Sequence, residues 1–376
     1  MKSGSKNTKI RLLQLITRSD WAGGQKVLYS IVYGLKKHYP ENFEVEVACG
    51  PESGVLIDEL GKIGIKVHVV NSFRREISLI DDLKAYSEVV ELLKKGNYDI
   101  VHTHSSKAGI IGRIAAKKHG VKKVIHTYHG FWGIEQYNGL KKKLLIFAER
   151  IASKYADYLV FLCNRDMQKA IKWKIGKPDQ YKVIPNAIVP EPPAHKGTLR
   201  KELNLPDNVK IVGNVARLDP PKNPLRFLKV AEEVLKIRDD IVFVWIGGSV
   251  VDNWYGKQVS EFLQQRMQLR DKIFFLPFRK DATKLMADFD VLLLTSDSEG
   301  MPLVVLEALS QEVPVVSTDV GCVSEIVGEK YVEDENKLKE IIIDVLQNTD
   351  NIPHTALSFK DFIDHYLQIY KGESNE

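Results

Sequence analysis

Cysteine is scarce in these 376 residues: Cys49, Cys163 and Cys322 lie far apart, in odd number and without CxxC spacing. Neither a disulfide framework nor a structural zinc site is expected, and all three read as small buried apolar residues. Long hydrophobic runs are missing too. No stretch reaches the roughly 18 uncharged apolar residues that a membrane-spanning helix needs, and the polar opening 1–7 lacks the apolar core of a signal peptide. The expectation is a cytosolic chain. The G-x-G-x-x-G dinucleotide fingerprint is also absent, so a nicotinamide cofactor has no support. What remains, 44% hydrophobic and 27% charged residues, is the composition of a folded protein, and the length fits two domains.

Acidic residues are sparse in one half only. Residues 1–190 hold 32 Lys+Arg against 18 Asp+Glu, whereas 191–376 hold 22 against 31. Such asymmetry points to a polyanionic partner (nucleic acid, an anionic membrane or a phosphorylated substrate), or to no more than a solvated face.

Apolar β-branched runs of strand length alternate with stretches of helical period. Strands are predicted at 9–16, 43–49, 66–70, 99–103, 123–127, 157–163 and 182–185, then at 210–216, 241–246, 272–276, 290–295 and 313–317. Leu79, Leu83, Tyr86, Val89, Val90 and Leu93, and likewise Leu144, Phe147, Ile151 and Tyr155, recur at helical spacing as faces suited to covering a sheet. Pro190, Pro192 and Pro193 interrupt the alternation and mark a boundary. The expected architecture is α/β with two doubly wound Rossmann-like domains facing across a cleft, 1–190 and 191–356, and a last helix within 357–376 that returns to the first.

The segment 295–309, TSDSEGMPLVVLEAL, leaves a strand, turns at Gly300 and starts a helix with Pro302 at its first position. A helix N-terminus offers unpaired N–H groups to an anion, and glycine lets a diphosphate approach. Glu299 and Glu307 flank it as acceptors for sugar hydroxyls, which together imply a nucleotide sugar. The plain alternative is a capping acid and a solvated helix residue, but the neighbours of Glu307 are apolar. In 213–224, GNVARLDPPKNP, Arg217 and Lys222 flank a turn after a strand. They are surface charges, or cations for a departing diphosphate. Gly23 and Gly24 follow the first strand and permit close approach of phosphate or sugar, unless they form a simple tight turn. His102, His104, His126 and His129 cluster at two strand ends without a zinc template, and the DxD of Asp288 and Asp290 straddles a helix end, so capping is its expected use and no metal is expected.

The E-x7-E of Glu299 and Glu307, with Gly300 and Pro302 between, resembles the donor signature of the retaining glycosyltransferases of family 4, which have the GT-B fold. The resemblance extends over nearly the whole chain. It implies that Glu299 contacts the donor sugar, that backbone at Gly300, Met301, Pro302 and Leu303 holds diphosphate and sugar, and that Glu307 binds the ribose. Arg217 and Lys222 become the cations on the leaving diphosphate, Gly23 and Gly24 the donor-facing loop, and His129 in 127–131, TYHGF, the active-site histidine. His104, Lys107 and Asn186 fall to the acceptor side or cleft, while His102 and His126 read as packed residues. Several positions depart from the pattern: Gln25 and Lys26 where an acid commonly follows the glycines, Asn223 where glycine is usual, Cys322 and Ser324 in the loop ahead of Glu325, and Ala187 after Asn186.

The implied reaction is retaining, metal-independent hexosyl transfer from a nucleoside-diphosphate sugar, UDP favoured, to a glycan or lipid-linked glycan, with no cofactor. Lys141, Lys142 and Lys143 ahead of Leu144–Phe147, with Arg113, Lys117, Lys118, Lys122 and Lys123, suggest an anionic membrane surface and a peripheral location on the inner face of the cell membrane. A nucleotide-sugar epimerase would share fold and donor chemistry. A nucleic-acid-binding protein would explain the basic half, but aromatics are not interleaved with the basic residues.

Overall fold

The computed structural model describes residues 9–74, 76, 78–192, 194–248, 254–348 and 354–372. The chain forms two compact units, one from the chain up to Val189 with the segment from Leu357 onward, the other Pro190–Ala356.

The first unit is a seven-stranded sheet in which every pairing is parallel. Its strands are β1 (Ile10–Leu15), β2 (Phe43–Cys49), β3 (Lys66–Val69), β4 (Ile100–His104), β5 (Lys123–Thr127), β6 (Tyr158–Phe161) and β7 (Tyr181–Val183), in the order β3-β2-β1-β4-β5-β6-β7. Strands covered on both faces need apolar residues at successive positions, which is why runs such as Leu12, Leu13 and Leu15 are wholly buried and were legible without alternation. The helices that matter below are α1 (Gly23–His38), α2 (Leu79–Gly96), α3 (Ser106–Lys118) and α4 (Gly139–Ser153).

The C-terminal helix (Phe359–Lys371) packs within this unit. Ser358 caps its start by accepting from the Asp361 N–H, and Gly372 ends it in the left-handed region. Lys123 Nζ donates to the carbonyls of Ile369 and Tyr370 at 2.8 and 2.7 Å, meeting the negative end of the helix with a cation. Gly34 on α1 makes room for it, since a Cβ there would lie 2.2 Å from Ile363 Cδ1.

Two helix faces differ from the sequence reading. On α2 the sheet side is Ala85, Val89 and Leu93, while Leu79 and Leu83 are exposed. On α4 the stripe Leu140, Leu144, Phe147 and Ile151 turns outward, with 73, 58, 58 and 38% of each residue exposed. The cause is Glu149: buried, it accepts from Arg113 Nη2 at 2.6 Å and from the Tyr128 hydroxyl at 2.8 Å, and a buried charge with its partner dictates which face points in. Arg113 is therefore wholly buried and adds nothing to a basic surface.

The second unit is a five-stranded parallel sheet of β8 (Lys210–Val215), β9 (Ile241–Ile246), β10 (Ile273–Leu276), β11 (Val291–Leu294) and β12 (Val315–Ser317), ordered β10-β9-β8-β11-β12. Two helices follow its central strands, α5 (Pro224–Leu235) after β8 and α6 (Leu303–Ser310) after β11. Pro302 stands at the N-cap of α6 and not at its first helical position. The DxD carboxylates are structural: Asp288 accepts from the Leu199 N–H at 2.6 Å, and Asp290 from the Ile211 N–H at 2.8 Å and from Lys210 Nζ at 2.9 Å. Cys49, Cys163 and Cys322 are all buried. Among the described residues no helix is long and apolar enough to cross a membrane.

Phe362, wholly buried between the C-terminal helix and its unit, supplies a direct test of that packing. Phe362→Ala is expected to destabilise the first unit by about 3–5 kcal/mol, read by urea unfolding; a change within experimental error would show that the helix contributes little.

Candidate active site

In a doubly wound sheet the winding reverses beside the first strand, and the strands' carboxyl ends open a crevice there. In the first unit that point lies between β1 and β4. Thr17, just past β1, is joined to Ser105, just past β4, by a hydroxyl pair at 2.7 Å, and Thr17 Oγ1 accepts from the Ala108 N–H at 3.1 Å. Ser105 holds φ +61° and ψ 157°, a region that costs a side-chain-bearing residue on the order of 1–3 kcal/mol and that clusters at functional sites.

Around this point the rings assemble. His104 Nδ1 lies 2.9 Å from His129 Nε2, and its Nε2 lies 2.7 Å from Gln14 Oε1. Gln14 Nε2 donates to the Tyr370 hydroxyl at 2.9 Å, which lies 2.7 Å from His102 Nδ1. His102 Nε2 reaches Thr127 Oγ1 at 2.8 Å. Gly24, in the first turn of α1, lies against the His129 ring: a Cβ there would sit 3.5 Å from His129 Cδ2. Gly23 has open space instead. Burial pushes His102, His104 and His126 well below the usual imidazole range and His129 down to about 4, so all four are neutral at physiological pH.

The same logic places the second unit's site between β8 and β11. The loops after these strands are laced together. The Asp297 N–H donates to the Pro221 carbonyl at 2.8 Å, and Asn223 Nδ2 donates to Asp297 at 3.1 and 3.2 Å. Arg226, in the first turn of α5, donates to the Thr295 carbonyl at 3.0 Å and to Asp297 Oδ1 at 2.6 Å. Lys222 Nζ and Ser296 Oγ both meet Glu299 Oε1, at 2.5 and 2.6 Å. Glu307 is half-buried on α6, one helical turn past its start, with Met301, Pro302 and Leu303 buried ahead of it. Arg217 is exposed and paired with Asp219 at 2.8 Å.

Asn223 stands where glycine is usual because its φ is +45°, and asparagine is among the few other residues that tolerate the left-handed region; its side chain then accepts from the Arg226 N–H at 3.0 Å and caps α5. Gly321 was passed over in the sequence. A Cβ there would lie 2.1 Å from the Gly300 carbonyl oxygen, and the Cys322 N–H donates to that oxygen at 2.9 Å, so a second loop braces the Glu299–Gly300 turn.

The structure brings Gly24, His104 and His129 together in one unit and Lys222, Glu299 and Gly300 in the other. The structure gives the surroundings of the residues expected on the acceptor side or in the cleft. His104 is wholly buried with both nitrogens engaged and does not stand at an open mouth. Lys107 is engaged with the Glu76 carbonyl and with Asp82 at 2.6 Å, holding α2 against the start of α3. Asn186 is buried just past β7. Gln14, Ser105, Arg226 and Tyr370 carried no signal in the sequence.

Residues 21–192 match the family described as Glycosyltransferase Family 4, and residues 195–356 match Glycosyl transferases group 1. The UDP-Gal:alpha-D-GlcNAc-diphosphoundecaprenol alpha-1,3-galactosyltransferase of Escherichia coli is 37% identical over 288 residues, 75% of this chain and 73% of that one. The chain belongs to glycosyltransferase family 4. Among solved structures, this glycosyltransferase is similar to Anabaena Alr3699/HepE in complex with UDP, with TM-score 0.76, 20% identity and coverage of 96% of this chain and 98% of that one. A UDP-N-acetylglucosamine 2-epimerase has TM-score 0.69 at 18% identity, covering 98% of each chain. These likenesses establish the GT-B fold.

Two outcomes follow for the glycosyltransferase. Four histidines neutral in the fold take up protons on unfolding once the pH drops below about 6.5, so the unfolded state binds more protons and stability falls with pH. Urea midpoints at pH 7 and 5.5 should show that loss; equal midpoints would contradict buried neutral rings. Gly321→Ala forces a left-handed φ and a backbone clash, and is expected to cost about 1–3 kcal/mol in urea unfolding and to weaken nucleotide binding by calorimetry. An unaffected variant would show that the brace is dispensable.

Proposed function

We propose that this glycosyltransferase moves a hexose, with retention of configuration and without a metal ion, from a UDP-sugar to a hydroxyl of a diphosphate-lipid-linked glycan. The observation that carries the reading is the second unit's acid–glycine–helix arrangement, in which Lys222 and Ser296 hold Glu299 beside the turn at Gly300. The names of the Escherichia coli relative and of the UDP-bound Anabaena structure support the choice of base and acceptor.

In this reading the first unit takes the acceptor and the second the donor. The turn from Gly300 to Leu303 offers backbone N–H groups to the diphosphate, and Glu307 accepts from the ribose hydroxyls. Gly23 and Gly24 give the first unit's approach to the phosphates, and His129 and Glu299 orient the sugar. The bond from the anomeric carbon to the diphosphate oxygen breaks and the acceptor oxygen bonds to that carbon on the same face. The acceptor's proton passes to the departing phosphate oxygen, and Lys222 and Arg217 stabilise its charge. Before donor binds, Lys222 is engaged by Glu299; the diphosphate and the sugar hydroxyls each offer one of the two a new partner, so the pair opens as donor enters. The DxD acids are committed to backbone and lysine, which supports a diphosphate held by N–H groups and cations.

In this reading the enzyme works peripherally at the inner face of the cell membrane, where a lipid-linked acceptor is met. The exposed stripe Leu140, Leu144, Phe147 and Ile151, with Lys141, Lys142 and Lys143 on the same helix, has the composition of an interfacial helix for an anionic bilayer. An epimerase would need the fold and donor site but neither this stripe nor an acceptor.

Calorimetric titration with UDP in chelator tests the donor site. Binding weakened tenfold or more by Glu307→Ala, as loss of a charge-assisted bond worth roughly 1.5–3 kcal/mol would do, supports it; absent binding, or an unchanged variant, overturns it. UDP-galactose with diphosphoundecaprenol-linked GlcNAc is the first pair to assay for transfer. Conversion of the UDP-sugar to its epimer without an acceptor would favour the rival. Leu144→Glu with Phe147→Glu should release the protein from phosphatidylglycerol vesicles in sedimentation, and retention on the vesicles would remove the membrane assignment.

A further inference from the structure

The buried rings of the first unit form a hydrogen-bond chain with a direction. An amide is the one member whose two ends cannot exchange roles: Gln14 Nε2 only donates and Oε1 only accepts. Because Oε1 faces His104 at 2.7 Å, His104 Nε2 must carry the proton. A neutral His104 then has a lone pair on Nδ1, so the proton in the 2.9 Å contact belongs to His129 Nε2. Neutral His129 is left with its lone pair on Nδ1. On the other side, Gln14 Nε2 donates to the Tyr370 oxygen at 2.9 Å, whose own proton is free for His102 Nδ1 at 2.7 Å. His102 Nε2 in turn donates to Thr127 Oγ1, which lies 3.2 Å from the Tyr366 hydroxyl.

We propose that Tyr370, on the C-terminal helix, is a positioning residue for His129: through Gln14 and His104 it fixes His129 as the Nε2-protonated tautomer and leaves Nδ1 as a hydrogen-bond acceptor. The phenol oxygen gives the Gln14 amide nitrogen a partner where bulk water is excluded. Both Gln14 and Tyr370 are buried, so turning the amide over would strand its N–H groups unless every donor in the chain reversed together. The lone pair at Nδ1 suits a ring that accepts from a sugar hydroxyl; a proton there would suit a carbonyl or phosphate instead. His129 touching the donor sugar is part of the reading above, and the proposal's catalytic consequence rests on it, whereas the tautomer does not.

The tautomer is read directly by nitrogen-15 NMR of the uniformly labelled, full-length protein, correlating ring nitrogens with ring carbon-bound protons, with His129 assigned by its absence in His129→Asn. The expected native spectrum shows a protonated Nε2 and an unprotonated Nδ1 for His129 at pH 7.5; the reverse pattern overturns the proposal without any further variant. Tyr370→Phe removes the acceptor for Gln14 and should give mixed or reversed His104 and His129 tautomers. Unchanged ring signals in Tyr370→Phe overturn the role of Tyr370.

Transfer from UDP-galactose to diphosphoundecaprenol-linked GlcNAc, or hydrolysis of UDP-galactose without acceptor, separates the two claims. A tenfold or larger fall in kcat for Tyr370→Phe, with KM little changed and the His129 tautomer altered, supports both. A changed tautomer with unchanged kcat leaves the chain standing and removes His129 from the reacting sugar. A fall in kcat with unchanged tautomer overturns the chain and assigns the loss to packing.

Discussion

A parallel sheet covered by helices on both faces meets solvent at the ends of its strands and along its two edges. Everything chemical in either unit depends on that constraint. Apolar side chains fill most of the interior of β1, β4, β8 and β11, so polar side chains with work to do collect in the last residues of these strands, as Gln14, His102 and His104 do, or just past their carboxyl ends, at the place where the winding reverses. Both units obey it: Thr17 and Ser105 tie the reversal point in one, and Asp297, Asn223 and Arg226 tie it in the other.

The strands were legible because doubly covered strands are written as uninterrupted apolar runs, and the strands at 43–49, 123–127 and 241–246 have the expected limits. The second unit's site was legible for a related reason: Thr295 to Glu307 is one continuous piece of chain, so strand end, turn, glycine and acid sit in order. Less could be read in the first unit. Gln14 and Tyr370 are hydrogen-bonded across 356 positions of sequence, and no local pattern marks either. His104 read as a cleft residue because strand-end histidines often are; its engagement on both nitrogens depends on partners from β1 and from the loop just past β5.

Helical periodicity gave the right elements and, twice, the wrong face. A stripe at three- and four-residue spacing says that a helix is amphipathic and leaves open what meets the apolar side. On α4 the arbiter is the buried Arg113–Glu149 pair, which fixes the opposite face inward at 2.6 Å and leaves Leu144 and Phe147 facing out. A charged residue thus decided the orientation of an apolar surface, which a hydrophobic pattern cannot record.

The Gln14 amide has one more property. Histidine can take a proton at one nitrogen and release it at the other, and a threonine or tyrosine hydroxyl can accept one proton while giving up its own, so an unbroken row of them conducts protons; an amide in the middle does not. The row from Thr127 to His129 therefore transmits orientation while insulating charge. The amide thus separates the His102–Tyr370 side of the row from the His104–His129 side, so a proton on one side is not handed to the other through Gln14.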